Sequence, residues 1–243
     1  MSKYLTPEII LVNTQIPENL GAAARAMLNF NLSKLRLVSP SFEMSNEKII
    51  PVSAGAFKIL KKIRKFESFE ESIKDFNIIV ATTNRVRSIK NKRISFEELI
   101  KKIKNTKNKV GIVFGPEKSG LDNNHISMCD YTLRINSNPN FSSLNLSHAV
   151  SLVAYEITKD IKIKERKTTN LLSNEKDMMN ASKKELLNFF SILEDQLEQT
   201  NFFLVKEKKK IIIQKIRSIF NKLELTSNDV KILLGIIKSL RKK

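Results

Sequence analysis

The chain has 243 residues, 41% of them apolar, enough to bury a core as one large domain or one domain with a small appendage. Forty-three Lys and Arg against 25 Asp and Glu leave a net charge of +18, which points to a polyanionic partner, nucleic acid before any other. One cysteine, Cys129, and two histidines, His125 and His148, exclude an intrachain disulfide, a cysteine-rich zinc site and a His-rich metal centre.

The segment from Met1 to Pro7 has no signal-peptide apolar core, and no apolar run approaches membrane-spanning length. The expected setting is the cytoplasm, with no membrane contact. A strand is predicted over Ile9–Asn13, a helix over Gly21–Phe30 and a strand over Leu35–Val38. Helices at Ala54–Ile63 and Phe69–Asp75 precede a strand at Ile78–Thr82; a helix at Phe96–Lys104 precedes a strand at Val110–Phe114. Ser68-x-x-Glu71 and Ser95-x-x-Glu98 are capping boxes, in which hydroxyl and carboxylate satisfy opposing backbone N–H groups. A helix at Asn123–Cys129, a strand at Thr132–Ile135 and a helix at Leu146–Ile163 complete the alternation. Strands alternating with helices predict an α/β domain over residues 1–163, a parallel sheet with helices on both faces.

A polar linker is expected over 164–177, then an all-α C-terminal domain over 178–243. Its three apolar stripes run through Leu186, Phe189, Phe190, Leu193 and Leu197, through Ile212, Ile216, Ile219 and Leu223, and through Val230, Leu233, Leu234, Ile237 and Leu240. Thr226-x-x-Asp229 is a capping box with Asp in place of the usual Glu. From Lys164 to Lys243 there are 18 basic and 10 acidic residues, a net of +8, so neither part is a detachable basic tail. The lysine run Lys206, Lys208, Lys209 and Lys210 is either a solvated helix start or a contact for an RNA backbone.

Two polar loops stand between apolar runs, Gly115-Pro116-Glu117-Lys118-Ser119-Gly120-Leu121 and Asn138-Pro139-Asn140-Phe141-Ser142-Ser143-Leu144-Asn145. Ligands of open α/β sheets gather at the carboxyl ends of strands, so two such loops on neighbouring strands predict a pocket. With six glycines in all, the chain has no G-x-G-x-x-G. Gly115 and Gly120 have the spacing of a phosphate-binding loop, but Leu121 and Asp122 follow where Lys and Ser or Thr belong, which disfavours a nucleotide-driven motor or a dinucleotide oxidoreductase.

The run Asn19-Leu20-Gly21-Ala22-Ala23-Ala24-Arg25-Ala26-Met27 with the Leu35–Val38 strand, and then the two loops in order, resembles the ribose 2′-O-methyltransferases of the SPOUT superfamily in their TrmH-like branch. With the tail segments Leu193–Glu198, Ile216–Asn221 and Asp229–Ile236, the resemblance is to TrmJ-type enzymes, which methylate nucleotide 32 (C or U) of the tRNA anticodon loop. Two positions depart from the pattern: Pro116, where Arg is frequent, and Ala81, where Gly is common.

The resemblance implies a trefoil knot at the end of the sheet domain, S-adenosylmethionine as methyl donor, tRNA as partner and a homodimer. The sulfonium is already a good leaving group, so no metal is required. The implied donor pocket uses Thr82, Thr83 and Asn84 after the third strand, Gly115, Gly120 and Leu121 after the fourth, and Ile135, Ser142, Ser143 and Leu144 after the last. Without the other blocks Gly115 and Gly120 read as a tight turn. The implied catalytic side holds Arg25, Asn19, Glu117, Ser143 and Asn145. Arg25 either takes the 2′-hydroxyl proton or, because a guanidinium stays protonated to very high pH, grips phosphate bidentately and aligns the 2′-oxygen. Asn19 is a helix N-cap or a substrate contact, Asn145 a ribose contact or the cap of the next helix, and Glu117 a site carboxylate or a solvated one. The alternatives are methylation of ribosomal RNA or another tRNA position, and a basic RNA-binding protein that no longer catalyses.

Overall fold

A computed structural model describes residues 6–85, 91–105, 108–164 and 180–240; most of the expected linker lies outside the described residues. Seven parallel strands form one sheet: β1 (Glu8–Val12), β2 (Leu35–Val38), β3 (Arg64–Phe66), β4 (Ile78–Thr82), β5 (Lys92–Ile94), β6 (Val110–Phe114) and β7 (Tyr131–Leu133). Their order across the sheet is β3-β2-β1-β6-β4-β7-β5. The chain winds outward from β1 in one direction and later fills the other half.

Five strands fall where the apolar runs predict them. The two short edge strands, β3 and β5, are additions that sequence periodicity does not reveal. Each is three residues long and opens on two basic residues, Arg64-Lys65 and Lys92-Arg93, exposed charge being a common guard against edge-to-edge pairing.

Helices α1 (Pro17–Asn29), α2 (Ile49–Ser53), α3 (Phe57–Leu60), α5 (Phe96–Lys104) and α7 (Leu146–Lys164) lie with one face of the sheet, and α4 (Phe69–Ile73) and α6 (Asn123–Ser127) with the other. Alternation in the strands feeds both cores. Ile9 and Leu11 of β1 join the first, Ile10 and Val12 the second, and Ile78 and Val80 of β4 oppose Ile79 and Ala81 in the same way. The predicted Ala54–Ile63 helix is corrected to the pair α2 and α3. Ala54 (φ 40°) and Gly55 (φ 86°) both take left-handed backbone there, which no helix interior accommodates.

A charged cluster ties the bottom of the sheet. Arg36 of β2, 1% exposed, donates from Nε to Glu8 at 2.7 Å and from both terminal nitrogens to Asp75 at 2.6 and 2.8 Å. Its guanidinium lies 4.2 Å from the Phe76 ring centroid. Burial pulls the Asp75 carboxyl up, but hydrogen bonds from Arg36 and Lys109 outweigh it and hold the group well below the usual carboxylate range.

The C-terminal helices α8 (Lys183–Gln199), α9 (Lys206–Asn221) and α10 (Ser227–Leu240) share a small core of Leu186, Phe189, Phe190, Val230 and Ile237. The reciprocal caps Ser95–Glu98 and Thr226–Asp229 form as their spacing predicts, and Ser182–Glu185 starts α8 in the same way. At Ser68 only half the box closes: Ser68 accepts from the Glu71 backbone N–H.

The second stripe requires correction. Ile219 and Leu223 are 56% and 59% exposed, whereas Gln214, Ser218 and Asn221 are buried. It is the polar face of α9 that turns inward, because it packs on α6 and on the residue before β5. There Ser218 donates to Asn91 Oδ1 at 2.8 Å and Asn221 to the Ser127 carbonyl at 2.7 Å. Leu240 of the third stripe is likewise 71% exposed. Periodicity finds an apolar face; it does not say that a neighbour presents polar groups to the opposite one.

Candidate active site

Three adjacent strands, β6, β4 and β7, release their chains at the same end of the sheet. The loops expected to sit on neighbouring strands are therefore separated by β4, and the segment after β4 fills the gap between them. Together they line a pocket of about 340 Å³, inside the range of small-molecule sites.

Of the residues expected at a donor pocket, Thr82, Thr83 and Asn84, Gly115 and Gly120, and Ile135, Ser142, Ser143 and Leu144 all line this cavity. Leu121 does not; it is 1% exposed and belongs to the core on the other sheet face. Phe114 and Arg85 also line the pocket, although no motif marks them for it, as does Pro116 of the first polar loop. Arg85 was legible as the residue after the Thr82–Asn84 turn, and Phe114 as the last residue of its strand.

The loop after β6 folds sharply. The Gly120 N–H donates to the Pro116 carbonyl at 2.8 Å, and Gly120 takes a left-handed φ of 64°. A Cβ placed on Gly115 would run into the backbone of Gly120 and Leu121, so the loop closes this tightly only with glycine there. The tight turn and the pocket wall are one feature.

Asn84 braces two of the loops. Its amide donates to the Ser142 carbonyl and to Ser137 Oγ, each at 2.8 Å, and its Oδ1 accepts from Arg134 Nε at 3.1 Å. Thr82 Oγ1 donates to the Val113 carbonyl at 2.8 Å, fixing β4 to β6 beneath the pocket.

A polar chain starts from Glu117 on the pocket lining. Asn19 donates from Nδ2 to Glu117 Oε1 at 2.6 Å and accepts at Oδ1 from Asn145 Nδ2 at 2.9 Å. The Gln15 backbone N–H donates to the second Glu117 oxygen at 3.2 Å. Asn145 Oδ1 in turn accepts from the Ser147 N–H at 2.9 Å, capping the start of α7. Asn19 is thus no N-cap. The helix begins two residues earlier at Pro17, with Ile16 as cap, and Asn19, 5% exposed, joins two loops far apart in sequence. Asn145 meets both readings left open for it, bonded to Asn19 and capping α7.

Arg25 stands apart from this pocket. It lies on the exposed face of α1 and makes no hydrogen bond or ion pair to the chain among the described residues. His125 packs edge-on against Phe69, ring centroids 5.1 Å apart, and burial pushes the Cys129 thiol far up; both behave as core groups. Among the described residues no three His, Cys, Asp or Glu side chains gather as metal ligands, and no helix is long and apolar enough to cross a membrane.

The model of the SpoU rRNA Methylase family matches residues 7–155, and that of the tRNA methyltransferase TrmJ C-terminal domain matches residues 184–243. A Haemophilus influenzae protein described as an uncharacterized tRNA/rRNA methyltransferase is 33% identical, over 97% of this chain and 94% of its own. A tRNA (cytidine/uridine/adenosine-2′-O-)-methyltransferase TrmJ from Pseudomonas aeruginosa is 30% identical over 96% of this chain and 93% of its own. The crystal structure of TrmJ from Z. mobilis ZM4 superposes with a TM-score of 0.85 at 33% identity, covering 98% of this chain and all of that one.

Proposed function

The chain belongs to the SpoU methylase family and is an RNA ribose 2′-O-methyltransferase, and from that premise we propose that it methylates nucleotide 32 of tRNA, taking the methyl group from S-adenosylmethionine. The observation that carries this reading is the convergence of the three post-strand loops on one pocket lined also by Glu117, which is bonded to Asn19 and through it to Asn145. The C-terminal match favours tRNA over ribosomal RNA.

S-adenosylmethionine supplies an electrophilic methyl group on a sulfonium that leaves without protonation. The cavity volume fits a group of that size, and the close-folded Gly115–Gly120 turn brings backbone to its edge, where an adenine or ribose finds donors and acceptors. Thr83, Ile135 and Leu144 would flank the donor, with Asn84 holding the loops together around it. The knot belongs to this proposal, with its loops as the donor cradle, as does the division into domains at 1–163, 164–177 and 178–243.

A ribose 2′-hydroxyl is a weak nucleophile near neutral pH and must be aligned and relieved of its proton. Glu117, with both oxygens engaged, holds Asn19, which in turn accepts from Asn145, and in this reading the three make up the acceptor side. Ser143, which lines the pocket, would hold the ribose.

Arg25 completes the site from a second copy. Its exposed position on α1, outside its own pocket, accords with that arrangement, as do the half-exposed Ile16, Leu152 and Tyr155 beside and on the paired helices α1 and α7. An apolar face of this kind is suited to a homodimer interface.

Labelled S-adenosylmethionine incubated with the protein and bulk tRNA should yield a 2′-O-methyl mark that nuclease mapping places at nucleotide 32. A mark at another nucleotide would retain the chemistry and overturn the target; no transfer to any RNA would overturn the whole reading. Replacing Gly115 with Ala should force the turn open and weaken S-adenosylmethionine binding, measured by calorimetric titration, by about tenfold or more (~1.4 kcal/mol). Undiminished affinity would remove the loop from the donor pocket.

A further inference from the structure

A second cavity, of about 290 Å³, opens between α6, α8 and α9, away from the pocket-lining residues described above. Its α9 wall is a row at four-residue spacing, Lys206, Lys210 and Gln214, which share one helix face. The same polar row continues into Ser218, which reaches Asn91 of the sheet domain.

The charges in this cleft are unequal. Arg217 is held bidentately by Glu194 at 2.6 and 2.9 Å, and Lys209 is paired with Glu198 at 2.7 Å. Lys206 and Lys210 are exposed and have no acidic partner among the described residues. Gln214 is only 6% exposed, lines the cleft, and makes no side-chain hydrogen bond to the chain among the described residues. Lining the cleft, that amide is open to an outside group that binds there and can both donate to it and accept from it. The opposite wall offers a second amide, Asn124, four residues beyond the Gly120 turn of the donor loop.

We propose that this cleft seats the RNA backbone, with phosphate on Lys206 and Lys210 and an adjoining ribose 2′-hydroxyl against the Gln214 amide. Ammonium groups suit a phosphate as point charges, and an amide that both donates and accepts matches a 2′-hydroxyl, the group that separates RNA from DNA. The seat rests on the reading of this protein as an enzyme of RNA, and it adds a binding position remote from the reacting ribose. Because α6 follows directly on the donor loop, RNA held here is anchored to the element that carries the pocket wall.

The test uses the full-length chain and a labelled tRNA transcript, with affinity followed against salt concentration. Lys206→Gln/Lys210→Gln should lower affinity by about tenfold and reduce the slope of log K against log salt by about one for each phosphate no longer neutralised. Gln214→Leu should leave that slope unchanged and narrow the preference for RNA over a DNA strand of the same sequence. Wild-type affinity and slope in the lysine variant, with S-adenosylmethionine binding intact, would overturn the seat whether or not the chain methylates. Weakened RNA binding in that variant, with no methyl transfer by the wild type, would uphold the seat and overturn the proposed function instead.

Discussion

Arg25→Ala is expected to reduce methyl transfer by about 10²–10⁴-fold while leaving S-adenosylmethionine affinity within a few-fold. The two readouts separate because Arg25 lies on the outer face of α1 and does not line the pocket of its own chain. It has no intrachain partner among the described residues, so truncation removes no folding interaction and the melting temperature should hold. What disappears, on the proposed reading, is a five-donor planar cation at the acceptor side. Arg25→Lys distinguishes its two possible roles. A bidentate grip on phosphate and 2′-oxygen is lost with a point charge, whereas a lysine with its pKa brought down by the site can still accept a proton. Mixing Arg25→Ala chains with Gly115→Ala chains tests the partner arrangement: if Arg25 serves the neighbouring pocket, mixed dimers regain one competent site and activity rises above either variant alone. Turnover at the wild-type level in Arg25→Ala would sink the assignment.

How much of this was legible in the sequence differs by element, for physical reasons. β1, β4 and β6 announce themselves because strands buried on both faces are nearly continuous apolar runs. β3 and β5 carry no such run, since an edge strand has little to bury and reason to be charged. The pocket residues were legible through their motifs, yet their arrangement was not: nothing in the chain states that β4 is inserted between β6 and β7. Asn19 shows the same limit. Its place before an Ala-rich helix suggests a cap, and only the fold brings Glu117 and Asn145, 98 and 126 residues away, into contact with its amide. In α9 the apolar stripe predicted the wrong inward face, because the deciding partners, Asn91, Ser127 and, through Lys183, Asp130, belong to the other part of the chain.

Those partners lead to the second large effect, in stability. Lys183→Met is expected to cost about 3–5 kcal/mol, a large share of the ~5–15 kcal/mol that a folded protein typically has in total. Lys183 is the first residue of α8 and is 1% exposed. Its Nζ donates to Asp130 Oδ1 at 2.6 Å and to Asn221 Oδ1 at 3.0 Å, and the other Asp130 oxygen accepts from the Ile79 N–H at 2.6 Å. One ammonium therefore joins α8, α9 and the chain entering β7. Burial pushes the Asp130 carboxyl up against the pull of that ammonium, so removing Lys183 strands a carboxylate where water cannot reach it. The ion pair itself need not be strongly stabilising; breaking one half of it is what costs. The double variant Lys183→Met/Asp130→Asn should accordingly recover much of the loss, because a neutral amide still accepts from Ile79 and leaves no charge behind. Urea unfolding of the three proteins measures both steps. Hydrogen exchange locates them, with α8–α10 and α6 losing protection ahead of β1 and β6 if the helical part undocks first. A Lys183→Met protein as stable as the wild type, to within about 1 kcal/mol, would mean that the helices dock through their apolar core and the Asn contacts alone, with the buried pair incidental.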